Sequence, residues 1–308
     1  MARLYLGSPP ISLLPQMPEV RQPEQPHTAA RAAGAPPATE QLTGWGNSRA
    51  SGHAMDLVAP EQPRLSAFLA HPTYSAASGA RRHAVVLAHG FPLAGLGEPA
   101  PSYGYPQLAV RLAAETGAAV LTFDFRGTGE SEGDFSLRAW RADLERAITH
   151  VRGLPGVERV WLVGFAAGGT LAIIAAGLDP AIAGVAAFAP PAELVERGAD
   201  PRRLLAQARS TGMIKSPGFP ADVPKWAREL REVSPTQMVA RVPPRPLLIV
   251  HGVNDDIVPI TDARELADAA NSTAELRVLG GAGHMLFHDP RAVALLLGWF
   301  DRHLGAAT

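Results

Sequence analysis

The chain has 308 residues, 46% of them hydrophobic and 19% charged, and a formal net charge of −1. It contains no cysteine, which excludes disulfide bonds, thiolate metal sites and a cysteine nucleophile. The balanced charge, with no basic stripe or tail, gives no reason to expect a nucleic-acid partner or an anionic membrane. Apolar stretches are strand-length and interrupted by Gly or Pro, so no membrane-spanning helix is predicted.

The first segment, residues 1 to 53, is rich in Pro, Ala, Gln, Glu and Gly and has no sustained hydrophobic period. Such a segment cannot bury enough apolar surface to offset its ordering entropy, so we expect a disordered tail. Met55 offers an alternative start of translation, which leaves open whether the tail belongs to the native protein. No basic segment followed by a continuous apolar run indicates a signal peptide, so we expect a cytoplasmic protein.

Residues 54 to 308 are predicted to form one domain, in which strand-like and helix-like segments alternate. Residues 54–60 and 64–70 are expected to pair as an edge hairpin. Six further runs are mostly continuously apolar, as is typical of strands covered on both faces: residues 84–88, 118–125, 160–163, 185–189, 246–250 and 276–279. Amphipathic segments accompany them at residues 105–115, 137–152, 168–178, 262–271 and 291–303. This order predicts an α/β fold with a doubly wound, mostly parallel sheet flanked by helices.

One connection, about residues 190–245, is too long for a simple crossover between strands. It contains three helix-like pieces broken by Pro and Gly, at residues 191–198, 201–211 and 223–233. Ligands bind beyond the carboxyl ends of the strands in open α/β sheets. We therefore expect a small helical cap there that shapes a ligand pocket.

The segment around Ala166 is predicted to be a strand, a sharp turn and the start of a helix. Gly164 and Gly168 have the spacing of a nucleophile elbow, G-x-S-x-G, in which small flanking residues let strand and helix approach closely. The central residue of such a turn adopts a strained backbone conformation. Here that residue is alanine, which has no nucleophilic atom.

Five motifs in order resemble the α/β-hydrolase family across about residues 54–304, most closely its lipase-, esterase- and aminopeptidase-like members with a small cap. Each motif follows a predicted strand. They are His89-Gly90-Phe91-Pro92, Asp124-Phe125-Arg126-Gly127-Thr128-Gly129-Glu130-Ser131, Gly164 to Gly168, His251-Gly252-Val253-Asn254-Asp255-Asp256-Ile257-Val258-Pro259, and Gly281-Ala282-Gly283-His284.

The resemblance implies a catalytic acid and base. His284 would be the general base and Asp255 the carboxylate that orients it, in the chain order nucleophile, acid, histidine. The spacing from the His-Gly pair at residues 251–252 favours Asp255 over Asp256, which is expected to support the following turn. His288 is expected to belong to the cap of the last helix rather than to the site.

The resemblance also implies an oxyanion hole that survives the loss of serine, because backbone N–H groups of Phe91 and Ala167 would form it. His89 is expected mainly to hold its loop and, with Phe165, to border the substrate. No metal-ligand spacing, P-loop or dinucleotide motif is present, so no cofactor is expected.

Other polar residues are expected to have structural roles. Thr170 and Ser131 are poor substitutes for the missing nucleophile, since one points away from the turn and the other serves its own loop. Asp124 and Arg126 are expected to hold their turn by a local ion pair. Residues 202–203, both arginine, are expected to be a solvated helix face.

Three functions remain open from the sequence. The first is a serine-hydrolase site for a small ester, thioester or amide, with the nucleophile replaced at Ala166 by nature or by engineering. The second is a pseudoenzyme that binds a ligand or acts as a scaffold. The third is base catalysis by His284 without a nucleophile. The expected partner is a small molecule; its identity and the oligomeric state are not indicated.

Overall fold

An eight-stranded sheet runs through the residues that a computed structural model describes, which are 50–73, 83–92, 104–195, 200–232, 234–271 and 273–304. The spatial order of the strands is β1-β2-β4-β3-β5-β6-β7-β8, with β1 and β2 antiparallel to their neighbours and the other pairs parallel. The strands are β1 (Ala50–Leu57), β2 (Leu65–Pro72), β3 (His83–Ala88), β4 (Ala119–Phe123), β5 (Arg159–Phe165), β6 (Ile182–Phe188), β7 (Leu247–Gly252) and β8 (Glu275–Leu279). The predicted doubly wound, mostly parallel sheet is confirmed.

The first two strands form the expected edge hairpin, with Ala50 paired to Pro72 and Leu57 to Leu65. Strand β1 begins earlier than predicted, so residues 50–53, which the predicted tail included, belong to the sheet. Met55 lies within this strand. The rest of the predicted tail, residues 1–49, lies outside the described residues.

Helices cover both faces of the sheet. Successive β3 residues alternate between two buried clusters: Val86 lies in the cluster shared with α2, α3 and α7, while Val85 and Leu87 lie in the cluster shared with α1 and α8. None of the helices in the described ranges is long and apolar enough to cross a membrane. The helices are α1 (Tyr105–Thr116), α2 (Leu137–Arg152), α3 (Ala167–Leu178), α4 (Pro201–Ser210), α5 (Val223–Glu229), α6 (Pro235–Val239), α7 (Ile260–Ala269) and α8 (Pro290–Leu304).

The predicted cap is present between β6 and β7 and contains α4, α5 and α6. Asp200 and Asp222 begin α4 and α5 by accepting hydrogen bonds from N–H groups of the first turn. Two details differ from the prediction: α6 was not expected, and residues 191–195 are not helical, while residues 196–199 lie outside the described part.

The cap is fixed to the loop that follows β4, at the carboxyl end of the sheet. The Asp134 carboxylate accepts hydrogen bonds from the N–H groups of Lys215 and Ser216 at 2.7 and 3.0 Å. The indole N–H of Trp226 donates to the Phe135 carbonyl at 3.0 Å. The cap is therefore seated at the end of the sheet where ligands bind in such folds.

The turn after β4 is held by a buried ion pair to α2 that the sequence did not indicate. The Arg126 guanidinium contacts the Asp143 carboxylate of α2, with Nη2 2.6 Å from Oδ1. Asp143 also accepts the Arg126 backbone N–H at 3.1 Å and has no exposed side-chain surface. Asp124 accepts the N–H of Glu130 at 3.2 Å. The packing of α2 against the turn brings the more distant carboxylate to the arginine.

We expect Asp143→Ala to lower the free energy of unfolding by about 3–5 kcal/mol, because it leaves the Arg126 charge buried without its carboxylate. Urea unfolding at neutral pH would measure this. The control is Glu232→Ala, which removes an exposed pair with Arg138 at 3.6 Å and should change stability little. Equal, small effects in both variants would contradict the structural role of the Arg126–Asp143 pair.

Candidate active site

The elbow at Ala166 joins the end of β5 to the start of α3. Ala166 has φ 48° and ψ −125°, a conformation that L-residues rarely adopt and that costs about 1–3 kcal/mol. Its N–H donates to the Phe188 carbonyl of the neighbouring strand at 2.7 Å, and its carbonyl accepts from Gly169 at 2.9 Å. The strained turn expected from the glycine spacing is thus present with alanine at its centre.

The two glycines of the elbow are required by close backbone approach. A Cβ atom on Gly164 would collide with the backbone of Gly168, and one on Gly168 would collide with the carbonyl oxygens of Ala88 and His89. Strand β5, helix α3 and the end of β3 are therefore in direct backbone contact. This contact places the loop after β3 beside the elbow.

His89, in that loop, is fully buried and holds the loop rather than facing a ligand. Its Nε2 accepts the N–H of Phe125 at 3.0 Å, so its Nδ1 carries the proton and donates to the Gly90 carbonyl at 2.6 Å. Burial lowers the pKa of His89, which agrees with a neutral ring. Both ring nitrogens are occupied within the protein, contrary to the expected contact with substrate.

Gly90, the residue before the predicted donor Phe91, packs against the elbow that carries the other predicted donor, Ala167. A Cβ on Gly90 would come within 2.8 Å of the Ala166 Cβ and 3.6 Å of the Ala167 nitrogen. The N–H of Ala167 is the first of α3, where no intrahelical acceptor exists. Within the described ranges, neither this N–H nor that of Phe91 donates to a protein acceptor.

Phe165, expected to border the substrate, is 5% exposed and belongs to an aromatic cluster. Its ring lies 4.8 Å from that of Phe188, 5.5 Å from Tyr105 and 5.9 Å from Phe287, measured between ring centroids. These contacts give Phe165 a packing role, and its expected position at the border of the substrate stays a prediction.

Asp255 and His284 form a hydrogen-bonded pair. The His284 Nδ1 lies 2.9 Å from Asp255 Oδ2 and 3.1 Å from Oδ1. Asp255 Oδ1 also accepts the N–H groups of Ile257 and Val258 at 2.9 and 2.8 Å. Asp256, the alternative weighed from the sequence, is exposed. Burial alone would raise the pKa of Asp255, but the hydrogen bonds from His284 and the two N–H groups hold that pKa below its usual value.

The loop that carries His284 is connected to the elbow by packing contacts of neighbouring residues. It follows β8, and Gly252 at the end of β7 packs so closely on Ala282 and Gly283 that a side chain there would collide with their carbonyl oxygens. Three residues beyond His284, Phe287 packs on Phe165, the residue before Ala166. The acid–base pair and the elbow therefore lie at the same edge of the sheet.

The sequence profile of the alpha/beta hydrolase family matches residues 85–295, which are more than half of the chain and include Ala166, Asp255 and His284. The chain belongs to the alpha/beta hydrolase family.

Several curated proteins resemble this chain. The monoacylglycerol lipase of Mycolicibacterium smegmatis is 27% identical over 263 residues, which are 72% of this chain and 89% of that protein. The uncharacterized protein Rv2307c of Mycobacterium tuberculosis is 32% identical over 177 residues, 56% of this chain and 54% of that protein. The uncharacterized protein YfhR of Salmonella typhimurium is 30% identical over 154 residues, 49% and 50% of the two chains. The chain spans about half the length of the last two relatives.

Solved structures show the same fold. The alpha/beta hydrolase GrgF from Penicillium sp. sh18 superposes with a TM-score of 0.58 at 20% identity, covering 82% of this chain and 99% of that one. Est1E from Butyrivibrio proteoclasticus, bound to ferulic acid, gives 0.58 at 19% identity and covers 81% and 97%. The esterase Pf2001 from Pyrococcus furiosus gives 0.55 at 18% identity and covers 82% and 92%. At these identities the likeness concerns the hydrolase fold.

One residue of the candidate site, His251, was given no role in the sequence analysis. It is fully buried, and its Nε2 lies 2.9 Å from the Val258 carbonyl and 3.4 Å from Asp255 Oδ2. His251 therefore fixes the loop that carries Asp255. The His-Gly pair at the start of the motif could have drawn attention to His251. The sequence did not show, however, that the imidazole ring contacts the loop that follows it.

The hydroxyl groups considered as substitute nucleophiles are both committed elsewhere. Thr170 donates to the Pro191 carbonyl at 2.7 Å, and Ser131 donates to the Asp124 carbonyl at 2.6 Å while accepting the Ser66 N–H at 2.9 Å. In the part of the chain that the structure describes, no three His, Asp or Glu side chains form a cluster suited to a metal ion. The arginines at 202 and 203 are exposed, as expected of a solvated helix face.

The lowered pKa of Asp255 gives its pairing a defined pH dependence. An ionised carboxylate that is stabilised in the folded state contributes fully above the unfolded-chain pKa of about 3.9 and loses that contribution as the pH falls through the folded-state value. We expect Asp255→Asn to lower the free energy of unfolding by about 2 kcal/mol at pH 7, and the gap to the unchanged protein to narrow below about pH 4. Urea unfolding across this range would measure it.

Asp256→Asn is the matched control, because this neighbour is exposed and makes none of the contacts of Asp255. Its effect should be small and constant with pH. A gap for Asp255→Asn that stays constant down to pH 2.5 would contradict the lowered pKa of Asp255.

Proposed function

We propose that this hydrolase carries an acyl-transfer site for a small ester, thioester or amide in which Ala166 occupies the nucleophile position, so that the chain as written hydrolyses its substrate at most slowly. The observation that carries the proposal is the Nδ1 of His284 at 2.9 Å from Asp255, in a loop packed against a strained elbow. The proposed roles are those implied by the sequence: Asp255 orients His284, and His284 is the base.

The chemistry of acyl transfer accounts for this set of groups. Attack on a carbonyl carbon places negative charge on the carbonyl oxygen, and each fixed N–H donor directed at that oxygen contributes about 3 kcal/mol to the transition state. The free N–H groups of Phe91 and Ala167 supply two such donors. An imidazole becomes an effective base when a buried carboxylate fixes its tautomer and stabilises its charged form. Asp255 meets that requirement for His284.

The relatives favour an ester among the three substrate classes. One relative is a monoacylglycerol lipase, and two of the similar structures are Est1E with ferulic acid and the esterase Pf2001. The small cap between β6 and β7 would then cover the acyl or alcohol part of the substrate, since it is seated at the same end of the sheet.

Alanine at the nucleophile position prevents formation of an acyl-enzyme. Removing the serine of a triad lowers turnover on the order of a million-fold and leaves only substrate binding and the oxyanion hole. Ala166 therefore favours, as a second candidate, a pseudoenzyme that binds an ester-like ligand without turning it over. In both cases the site recognises the same carbonyl group.

We expect Ala166→Ser to introduce labelling by a fluorophosphonate probe and turnover of short p-nitrophenyl esters at least about a thousandfold above the unchanged protein, because His284 would then have a hydroxyl to deprotonate. Mass spectrometry of the labelled protein would locate the adduct, and absorbance at neutral pH would follow turnover.

Two controls isolate the role of the site in this test. Ala166→Ser combined with His284→Ala should lose both signals. Ala189→Ser makes the same substitution at a buried residue that also has φ 48°, and it should gain neither. If a folded Ala166→Ser protein neither reacts with the probe nor turns over any ester, the proposed acyl-transfer site is wrong.

A further inference from the structure

His284 has no proton to accept from the protein. Its Nδ1–H donates to Asp255, which leaves the lone pair on Nε2, and among the described residues that nitrogen has no hydrogen-bond partner. In a serine hydrolase the proton would come from the nucleophile's hydroxyl. The side chain at position 166 ends in a methyl group instead. A base in this arrangement can accept a proton only from a bound molecule.

The position of the His284 ring is nevertheless fixed by its surroundings. Asp255 is fixed by two backbone N–H groups and lies 3.4 Å from the buried ring of His251, while its own side chain is completely buried. The His284 side chain is 8% exposed, so it is restrained yet open to solvent and to a ligand. Fixed geometry and access are the two requirements for a general base.

A site for negative charge lies at the same edge of the sheet. The N–H groups of Ala167 and Phe91 have no acceptor in the described part of the chain, and Gly90 brings their two loops into contact at the elbow. These donors come from the backbone, so they do not depend on the side chain at 166. They would stabilise the oxygen of an enolate as well as that of a tetrahedral intermediate.

We propose that the chain catalyses proton transfer at a carbon atom next to a carbonyl group, with His284 as the base and the two N–H groups as the oxyanion site. The Nε2 atom of His284 takes the proton from carbon, the C–H electron pair forms the C=C bond, and the carbonyl π pair moves onto oxygen. The resulting enolate oxygen binds to the N–H groups of Phe91 and Ala167. The imidazolium then returns a proton to carbon, so no oxidant or further reactant is consumed.

The strength of the base limits the substrate class. Imidazole is a weak base toward carbon, so the C–H bond must be acidified by a second group. The C–H bond between the two carbonyls of a β-keto ester is acidified in this way. Such a compound also contains an ester group, which the proposed acyl-transfer site would bind, so the inference rests on that proposed function. We therefore assign β-keto esters and related 1,3-dicarbonyl compounds as the substrate class.

Deuterium exchange tests the inference. The full chain is incubated with ethyl 2-methylacetoacetate in D₂O at neutral pD, and proton NMR follows loss of the single hydrogen between the two carbonyls. We expect exchange at least about a hundredfold faster than in buffer, loss of that acceleration in His284→Gln, and a marked reduction in Asp255→Asn. His288→Gln is the matched control, because this neighbouring histidine lies outside the pair and should leave exchange unchanged.

The same probe separates this inference from the proposed function, because it is also an ester. Exchange at the buffer rate, or equal exchange in folded His284→Gln protein, would overturn the inference. If the Ala166→Ser protein then hydrolyses esters, the acyl-transfer site stands and only the proton-transfer activity is wrong. If that protein hydrolyses nothing either, both proposals are overturned. Near-ultraviolet circular dichroism of each variant would confirm that a loss of exchange is not a loss of fold.

Discussion

The close approach of β5, α3 and the end of β3 is the constraint on which the rest of the site depends. Gly164 and Gly168 have no room for a side chain, so the chain between them must turn within three residues, and Ala166 takes up the strain. The same turn frees the first N–H of α3 and presses Gly90 against the elbow. Backbone packing, which requires only small residues at a few positions, thus creates both the strained turn and the site for negative charge.

The sequence predicted this part of the molecule well because the signals are local. A buried strand, a glycine pair and a helix follow each other within 20 residues, and β5 and α3 form where expected. The pairing of Asp255 with His284 was also predicted, although 29 residues separate them. Their loops follow neighbouring parallel strands, β7 and β8, whose carboxyl ends meet at one edge of the sheet.

The hydrogen-bond and ion-pair partners of individual side chains could not be predicted, because they depend on packing between elements that are distant in the sequence. Arg126 pairs with Asp143, which is 17 residues away in the chain, because α2 lies against the turn. His89 follows a strand at the edge where ligands bind, yet both of its nitrogens are used inside the loop. Sequence order places such residues near the site, but only the packed structure decides which way each ring or carboxylate turns.

The backbone groups and the side-chain groups of the site therefore differ in what they indicate about function. The elbow strain and the N–H groups of Phe91 and Ala167 are made by backbone that the fold itself requires, so they would persist whatever the protein does. The Asp255–His284 pair is made by side chains, and the fold does not need a ring whose Nε2 has no hydrogen-bond partner among the described residues. A buried carboxylate is costly unless it is paired. The ordered acid–base pair, at the same edge of the sheet as Ala166, is thus the feature that favours chemistry at this site over a purely structural role.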